Sequence, residues 1–276
     1  MSENCNHDCG SCSAECGERK NQPIMKKKCN PHTHIGKVIG VVSGKGGVGK
    51  SMVTSLLAVL LQKAGKKVAV LDADITGPSI PAAFGLHTRV TGTPAGIEPA
   101  VTKTGIKVMS INLLLPHETD PVVWRGPLIG GVIEQFWTDV NYGDIDYMLV
   151  DMPPGTGDVA LTVFQSLPVD GIVIVASPQE LVGMIVEKAV NMASMMKVPV
   201  LGMVENFSYF RCPDCGGEHE VFGPSRVKET AEKFGVEHVS RMPVDPALAS
   251  AVDKGELENL APEYLAEIRD TLLALD

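Results

Sequence analysis

The sequence has no hydrophobic run long enough to cross a membrane and no excess of positive charge. No apolar stretch reaches the roughly 18 residues that a membrane-spanning helix needs. Lysine and arginine number 24 against 33 aspartates and glutamates, a formal net charge of -9 at pH 7. We therefore expect no nucleic-acid partner and no membrane partner. The first residues also lack the charged-then-apolar pattern of a secretory signal, which predicts a cytoplasmic protein.

The length and apolar content suit one α/β domain with a small appendage. The chain has 276 residues, of which 44% are hydrophobic. We predict a cysteine-rich tail and linker over residues 1–30 and one α/β domain over residues 31–276. Disulfides are rare in a reducing compartment, so the seven cysteines indicate metal or thiol chemistry.

A complete phosphate-binding loop, G-x-x-x-x-G-K-S, begins at Gly44 and carries an additional lysine, Lys45. Its glycines let backbone N-H groups surround phosphates, Lys50 supplies a positive charge, and the Ser51 hydroxyl suits Mg²⁺. The additional lysine is typical of a subclass of nucleotide-binding proteins that forms dimers. The predicted phosphate-binding residues are Gly44, Lys45, Gly46, Gly47, Val48, Gly49, Lys50 and Ser51.

Apolar strands and helical patterns alternate along the chain, which predicts a doubly wound, mostly parallel sheet of the P-loop NTPase type. The predicted strands are 37–43, 67–72, 146–151, 171–176 and 198–204. The predicted helices are 51–64, 128–138, 181–196, 225–234 and 264–275. Ligands of such sheets bind at the carboxyl ends of the strands.

Two predicted strands end on acidic loops that therefore lie on the nucleotide side. The first loop contains Asp74, which we predict to position the attacking water. The second begins with Asp151, which we predict to hold Mg²⁺ together with Ser51. A plain turn at a strand end would use the same residue types, so that alternative is open for both.

Several segments together resemble one family, the Mrp/ApbC-type iron-sulfur cluster carrier ATPases. They are SGKGGVGKS, DADITGPS, DMPPGTGD, ENFSY and CPDC, and the resemblance spans about residues 36 to 255. This family belongs to the MinD, ParA and nitrogenase-iron-protein class. The resemblance implies a slow, homodimeric Mg-ATPase that carries a 4Fe-4S cluster to apo-proteins.

The resemblance also implies roles for individual residues. Lys45 of one subunit would contact phosphates bound by the other, Asn206 would read the adenine edge, and the chain from Pro243 to Asp245 would line the base. Met52 departs from the family, which usually has threonine there. This departure puts a side-chain contact to the α-phosphate in doubt.

Cys212 and Cys215 form a C-x-x-C pair that predicts a metal site. Two thiolates cannot fill the four ligand positions of a 4Fe-4S cluster, but a symmetric dimer brings the same pair from each subunit to one axis. The same spacing also suits a tetrahedral zinc knuckle. The resemblance favours iron and sulfur over zinc.

The N-terminal tail holds four cysteines within twelve residues: Cys5, Cys9, Cys12 and Cys16. Few residues here could form a core, so a second cluster or a zinc ion is the predicted structural content. A disordered tail with free thiols is the alternative.

Two other functions use the same sequence features. A MinD- or ParA-like positioning ATPase would carry the cysteine pair as a structural zinc knuckle. It would also need a basic tail or face, whereas the last helical pattern is acidic. An ATP-driven electron donor like the nitrogenase iron protein would retain its cluster during turnover, and retention is what separates it from a carrier.

Overall fold

Strands and helices alternate along the chain, as the apolar pattern predicts. The computed structural model describes residues 26–75, 77–117, 120, 126–179, 181, 184–260 and 262–275. The strands are β1 (His34–Ser43), β2 (Val68–Asp72), β3 (Gly92–Thr93), β4 (Gly96–Ile97), β5 (Ala100–Val101), β6 (Lys107–Met109), β7 (Asp144–Asp151), β8 (Gly171–Ala176), β9 (Val200–Arg211), β10 (Glu218–His219) and β11 (Val239–Pro243). The helices are α1 (Lys50–Lys63), α2 (Ile80–Ala83), α3 (Gly126–Thr138), α4 (Asp158–Ser166), α5 (Met184–Met195), α6 (Val227–Lys233), α7 (Pro246–Asp253) and α8 (Ala266–Leu273). Short 3-10 helices span Ile111–Leu113, Leu257–Asn259 and Glu263–Leu265.

One large sheet organises the fold, with strand order β10-β9-β8-β1-β7-β2-β6-β5 and with β11 alongside β9. The central strands are parallel, and only the pairs at the margins, β9 with β10 and β5 with β6, are antiparallel. Because β1, β2, β7 and β9 run the same way, their carboxyl ends meet at one edge. The phosphate loop, both acidic loops and the cysteine pair all follow these strand ends.

Helices cover both faces of the sheet and bury its apolar side chains. Residues of α3, α4, α5 and α6 form one core with one face, and residues of α1, α2, α7 and α8 form a second core with the other. Strands covered on both faces read as continuous apolar runs, which is the pattern seen in β2 and β8. The predicted doubly wound, mostly parallel fold is confirmed.

The structure differs from the sequence prediction most clearly in β9, which extends seven residues beyond the predicted end at Val204 to Arg211. The added residues are largely polar, so no apolar run marks them as a strand. They are held by β11 on one side and β10 at the end. Helices α4 and α7 were not predicted either, and α7 begins with an Asp245 side chain that accepts hydrogen bonds from two backbone amides.

The end of the predicted linker, which begins the described residues at Lys26, is attached to the domain. The Lys26 ammonium donates to the backbone oxygens of Phe164 and Leu167 at the end of α4. The backbone amide of Lys27 donates to the Ser166 oxygen at 2.8 Å. The division at residue 30 stays a prediction. The tail cysteines Cys5, Cys9, Cys12 and Cys16 lie outside the described residues.

In the part of the chain that the structure describes, no helix is both long enough and apolar enough to span a bilayer.

Candidate nucleotide and metal sites

The phosphate loop has the backbone shape that its glycines predict. Gly47 and Gly49 have φ angles of 84° and 79°, a left-handed conformation that residues with a Cβ rarely adopt. Gly49 is the N-cap of α1, and no side chain caps that helix or places an acidic group in its first turn. The helix N-terminus therefore presents unpaired backbone donors and a positive dipole end, the arrangement that binds phosphate.

Lys50 places a buried ammonium group beside two carboxylates. Its side chain is 6% exposed, and its Nζ lies 2.8 Å from Oδ2 of Asp151 and 3.8 Å from Oδ2 of Asp74. Nevertheless, the ammonium makes no hydrogen bond of good geometry to any described residue. The ion pair with Asp151 balances the charge of the ammonium, but hydrogen-bond donors that are buried and unused are costly. The outer phosphates of a nucleotide would satisfy it.

Asp151 is fully buried at the end of β7 and receives two hydroxyl hydrogen bonds from α1. Ser51 Oγ donates to its Oδ2 at 2.6 Å, and Thr54 Oγ1 donates to its Oδ1 at 2.7 Å. The carboxylate and the Ser51 hydroxyl are the oxygen ligands that Mg²⁺ prefers, so these residues fit a magnesium ion. The predicted pair of Ser51 and Asp151 is thus brought together. Sequence analysis missed Thr54, which lies one helical turn after Lys50.

Asp72 is another buried carboxylate, at the carboxyl end of β2. The sequence analysis assigned no role to it. It is the cross-strand neighbour of Asp151 and accepts a hydrogen bond from Ser110 Oγ at 3.0 Å. Burial, and then the nearby Asp151 charge, raise the pKa of Asp72 to about 8. The carboxyl ends of β1, β2 and β7 form the edge of the sheet that we call the nucleotide edge. This edge therefore holds a carboxyl group that is neutral over much of the physiological pH range.

Asp74 and Lys45 occupy the rim of this site. The backbone amide of Asp74 donates to Oδ1 of Asp72 at 3.2 Å, and the Asp74 side chain is 14% exposed. Lys45 is exposed at the tip of the loop, and its backbone oxygen accepts from Ser43 Oγ at 2.9 Å. The loop conformation therefore holds the Lys45 backbone while its side chain remains at the surface.

Asn206 contacts the phosphate loop through a hydrogen bond from its side chain. It is fully buried in β9, and its Nδ2 donates to the Val48 oxygen at 2.9 Å. A Cβ added at Gly49 would lie 2.3 Å from this nitrogen, so the contact requires glycine there. The predicted role of Asn206 at the adenine edge stays a prediction.

The two other residues predicted to line the base lie where β11 leads into α7. Pro243 is buried at the end of β11. Asp245 is half-buried and accepts from the Tyr264 hydroxyl at 3.0 Å as well as from the first amides of α7. Their predicted contact with the base also stays a prediction.

Cys212 and Cys215 lie on the hairpin between β9 and β10, at the same sheet edge as the phosphate loop. Cys212 is half-buried and Cys215 is exposed. The amide of Cys212 donates to the Gly217 oxygen and that of Gly216 donates to the Cys212 oxygen, both at 2.9 Å. Hydrogen bonds from the Cys215 and Asp214 amides lower the pKa of Cys212. A lowered thiol pKa favours the thiolate, which is the form that binds metals.

Two thiols, those of Cys212 and Cys215, lie at this hairpin in one copy of the chain. Within the described residues, no group of three or more histidine, cysteine, aspartate or glutamate side chains is placed to hold a metal ion. A site with four ligands at this hairpin would therefore need ligands beyond the described residues of one copy.

Comparison with known proteins identifies the family. The family model described as NUBPL iron-transfer P-loop NTPase, of the ParA group, matches residues 34–272. The iron-sulfur cluster carrier protein of Clostridium perfringens is 45% identical over 267 residues, which cover 94% of this chain and 92% of that protein. The protein of the same name from Methanococcus maripaludis is 40% identical and covers 99% of this chain and 98% of its own length. This chain belongs to the iron-transfer P-loop NTPase family.

Solved structures agree with this assignment. A nucleotide-binding protein from Archaeoglobus fulgidus, described as a complex with ADP and with cobalt, is 48% identical. It superposes with a TM-score of 0.77 over 84% of this chain and 91% of its own. The cell-division ATPase MinD of Pyrococcus furiosus is similar in fold, with a TM-score of 0.60 at 18% identity over 87% of this chain and 100% of its own. The predicted resemblance is confirmed, and the chain is a nucleotide-binding P-loop NTPase.

Proposed function

We propose that this protein is an ATP-hydrolysing carrier that binds a 4Fe-4S cluster between two copies of the chain and transfers it to apo-proteins. The names of the curated relatives support the carrier role. The observation that carries the proposal is the cysteine hairpin, which places one half-buried and one exposed thiol per copy at the same edge of the sheet as the phosphate loop. Two such pairs related by a two-fold axis would supply the four thiolates that a 4Fe-4S cluster requires.

In this proposal ATP hydrolysis determines when the dimer opens. Lys50 and the loop amides bind the phosphates, and Asp74 orients the attacking water. Ser51 and Asp151 would hold Mg²⁺, which neutralises charge on the phosphates when it is bound. The exposed Lys45 would reach phosphates bound by the other copy. Hydrolysis would be slow.

The base of the nucleotide would lie on the same side of the sheet. Asn206, Pro243 and Asp245 are proposed to line it, and Met52 would lie close to the α-phosphate. The tail cysteines Cys5, Cys9, Cys12 and Cys16 are proposed to form a second metal site, for a cluster or for zinc. We propose a cytoplasmic location for the dimer.

Release would follow from the exposure of the shared site. Thiolates of an acceptor would replace Cys212 and Cys215 of each copy at the irons, one thiolate for one thiolate, so no electron transfer is needed. Opening of the dimer after hydrolysis would expose both pairs together. A carrier requires such a divided and accessible site.

The test is cluster transfer from the full-length protein under anoxic conditions. The four tail cysteines are replaced by serine, the remaining cluster is reconstituted with ⁵⁵Fe, and an apo-ferredoxin is added with Mg-ATP. We expect the label to move to the ferredoxin, and to move more slowly from a Lys45→Ala variant. A cluster that stays on the chain during turnover while its oxidation state changes would instead identify an electron donor.

A further inference from the structure

One strand, β9, joins the phosphate loop to the cysteine hairpin. Asn206, near its middle, donates to the Val48 oxygen in the phosphate loop. Cys212 follows its last residue. Between them, Phe207 has a φ angle of 58°, a left-handed conformation that is unusual for a bulky residue. Such a residue requires support from its surroundings, so the path of β9 depends on neighbouring contacts.

Those contacts converge on Arg241, which lies in the neighbouring strand β11. Its Nε donates to Ser208 Oγ at 2.6 Å and lies 3.6 Å from Oε2 of Glu205. Ser208 Oγ donates in turn to the Glu205 carboxylate. Glu205 is fully buried, and a buried carboxylate needs a cation and hydrogen-bond donors. Arg241 and Ser208 supply both, directly beside Asn206.

The same guanidinium also reaches the cysteine hairpin. Its second nitrogen donates to Oε1 of Glu220 at 2.7 Å, and Glu220 follows β10 directly. The guanidinium also lies over the Tyr209 ring, with its central carbon 5.4 Å from the ring centre. A planar guanidinium can hold several partners in one fixed geometry, which an ammonium cannot. Arg241 therefore links the buried part of β9 to the outer strand of the hairpin.

The pairing of the hairpin's two strands is short. Its ladder consists of two residue pairs, Arg211 with Glu218 and Phe210 with His219. Short two-stranded hairpins are marginally stable by themselves. Arg211 and Glu218 also form an ion pair at 2.8 Å, but both side chains are exposed and solvent screens them.

We infer that Arg241 is a positioning residue that couples the state of the phosphate loop to the placement of Cys212 and Cys215. A change at the loop would shift Asn206, and with it Glu205, and Arg241 would pass the shift to Glu220 and the hairpin. This inference rests on the proposed function, since it concerns how nucleotide controls the proposed cluster site. It assigns a role to residues outside the nucleotide and cysteine sites.

The experiment measures the alkylation rate of individual cysteines by peptide mass spectrometry in the full-length apo-protein. Rates are compared without nucleotide and with Mg²⁺ and a non-hydrolysable ATP analogue. In the wild type we expect nucleotide to change the rates of Cys212 and Cys215 by at least about fivefold. Cys29 serves as an internal reference, because it precedes β1 at the opposite edge of the sheet.

The decisive variant is Glu220→Ala, which breaks the outer contact of Arg241 and leaves its contact with buried Glu205. We expect the nucleotide response of both cysteines to fall below about twofold while ATP hydrolysis is unchanged. Glu218→Ala is the matched control, because it removes an ion pair from the same hairpin without touching Arg241. The control is expected to retain the wild-type response.

A second variant, Arg241→Lys, keeps the charge near Glu205 but loses the planar geometry, and it should also weaken the response. A wild-type response in Glu220→Ala would overturn the inference. It would also be overturned by an equal loss in Glu218→Ala, or by a wild-type protein whose cysteines do not respond to nucleotide. Cluster content is measured separately in the wild type. Absence of a cluster would overturn the proposed function and leave the alkylation result to decide the coupling.

Discussion

The nucleotide edge and the cysteine hairpin lie on the same side of the sheet but are built in opposite ways. At the nucleotide edge Lys50 and Asp151 are buried, and Asp151 is fixed by two hydroxyl groups from α1. The hairpin has a ladder of two residue pairs, and Cys215 is exposed. A buried carboxylate whose oxygens accept hydrogen bonds, as Asp151 does, resists movement, whereas short exposed hairpins open locally at little cost. The contrast fits the proposed function, in which a rigid nucleotide site controls a more mobile cysteine hairpin.

The largest expected effect comes from removing the buried ammonium. In Lys50→Gln the phosphates lose their charged partner, and we expect ATP hydrolysis to fall by at least about 100-fold. A phosphate-release assay measures the rate, and circular dichroism checks the fold. Iron bound at Cys212 and Cys215 after reconstitution without nucleotide should not change, because Lys50 lies in the phosphate loop and is not one of the proposed cluster ligands. Hydrolysis within tenfold of the wild type would contradict the assignment of Lys50.

Lys45→Ala tests the second lysine of the phosphate loop, which is exposed whereas Lys50 is buried. Nucleotide binding to one chain should persist in this variant, since Lys45 is proposed to act on the other copy. Hydrolysis should fall, and analytical ultracentrifugation should find less ATP-dependent dimer. A Lys45→Ala protein that dimerises and hydrolyses ATP like the wild type would exclude the cross-subunit role.

The next largest effect is expected on iron and sulfide binding at the cysteine hairpin. Cys215→Ser should reduce the iron and sulfide bound after reconstitution by at least about tenfold in a chain whose tail cysteines are serine. Nucleotide affinity, measured by calorimetry, should stay within about twofold, because the proposed nucleotide site does not include this thiol. Cluster retention by the serine variant would place the cluster elsewhere.

Thr54→Val tests the rigidity of the nucleotide edge. The variant has nearly the same shape but cannot donate to the buried Asp151 carboxylate, so the free energy of unfolding should fall by about 1–3 kcal/mol. Urea denaturation measures the change. Thr54→Ser keeps the hydroxyl and is the control, expected to lie closer to the wild type. Equal stability of Thr54→Val and the wild type would mean that this hydrogen bond contributes nothing.

Asp72 predicts a pH dependence of stability. Its pKa in the folded protein is about 8, above its ordinary value of 3.8, so between these values the folded state holds a proton that the unfolded state has lost. This contribution to stability is complete below the ordinary value and is lost as the pH rises through about 8. The slope is at most about 1.4 kcal/mol per pH unit.

Urea denaturation at pH 5 and pH 8, with EDTA and without nucleotide, measures this dependence. Asp72→Asn carries no titrating group, so the loss of stability between the two pH values should be smaller in the variant than in the wild type. If the two proteins lose the same free energy of unfolding, Asp72 does not hold the proton.

The smallest effect is expected at Met52, which the proposed function places close to the α-phosphate. Met52→Thr would add a hydroxyl at the start of α1, and we expect nucleotide affinity to rise by about two- to tenfold. Calorimetric titration with ADP measures it. Unchanged or weaker binding would mean that Met52 is not near the α-phosphate.

The sequence was sufficient to predict the phosphate loop, because its chemistry depends on spacing along the chain. Gly47 and Gly49 take left-handed conformations that glycine favours, and α1 follows at once. The strands of the doubly wound sheet were predictable for a similar reason, since burial on both faces produces continuous apolar runs. Asp151 and Ser51, 100 residues apart, lie within hydrogen-bond distance because parallel strand ends share one edge. Their predicted binding of Mg²⁺ stays a prediction.

The support of the hairpin was not predictable in this way. Glu205 and Arg241 meet only because β11 lies beside β9, and neither strand segment has an apolar signature. The raised pKa of Asp72 also depends on burial and on a neighbouring strand, which a sequence pattern does not reveal. No sequence feature of Thr54, apart from its position one turn into α1, indicated its contact with Asp151. These contacts are tertiary, so they required the folded structure.

The central claim is that two cysteine pairs from two copies hold one cluster. The most direct measurement is the content of iron, acid-labile sulfide and zinc, together with molecular mass, in the full-length protein purified without oxygen. Cys5, Cys9, Cys12 and Cys16 are replaced by serine so that Cys212 and Cys215 are the reporting site. We predict about four iron and four sulfide per dimer. Stoichiometric zinc without sulfide, or a cluster on a monomer, would contradict the claim.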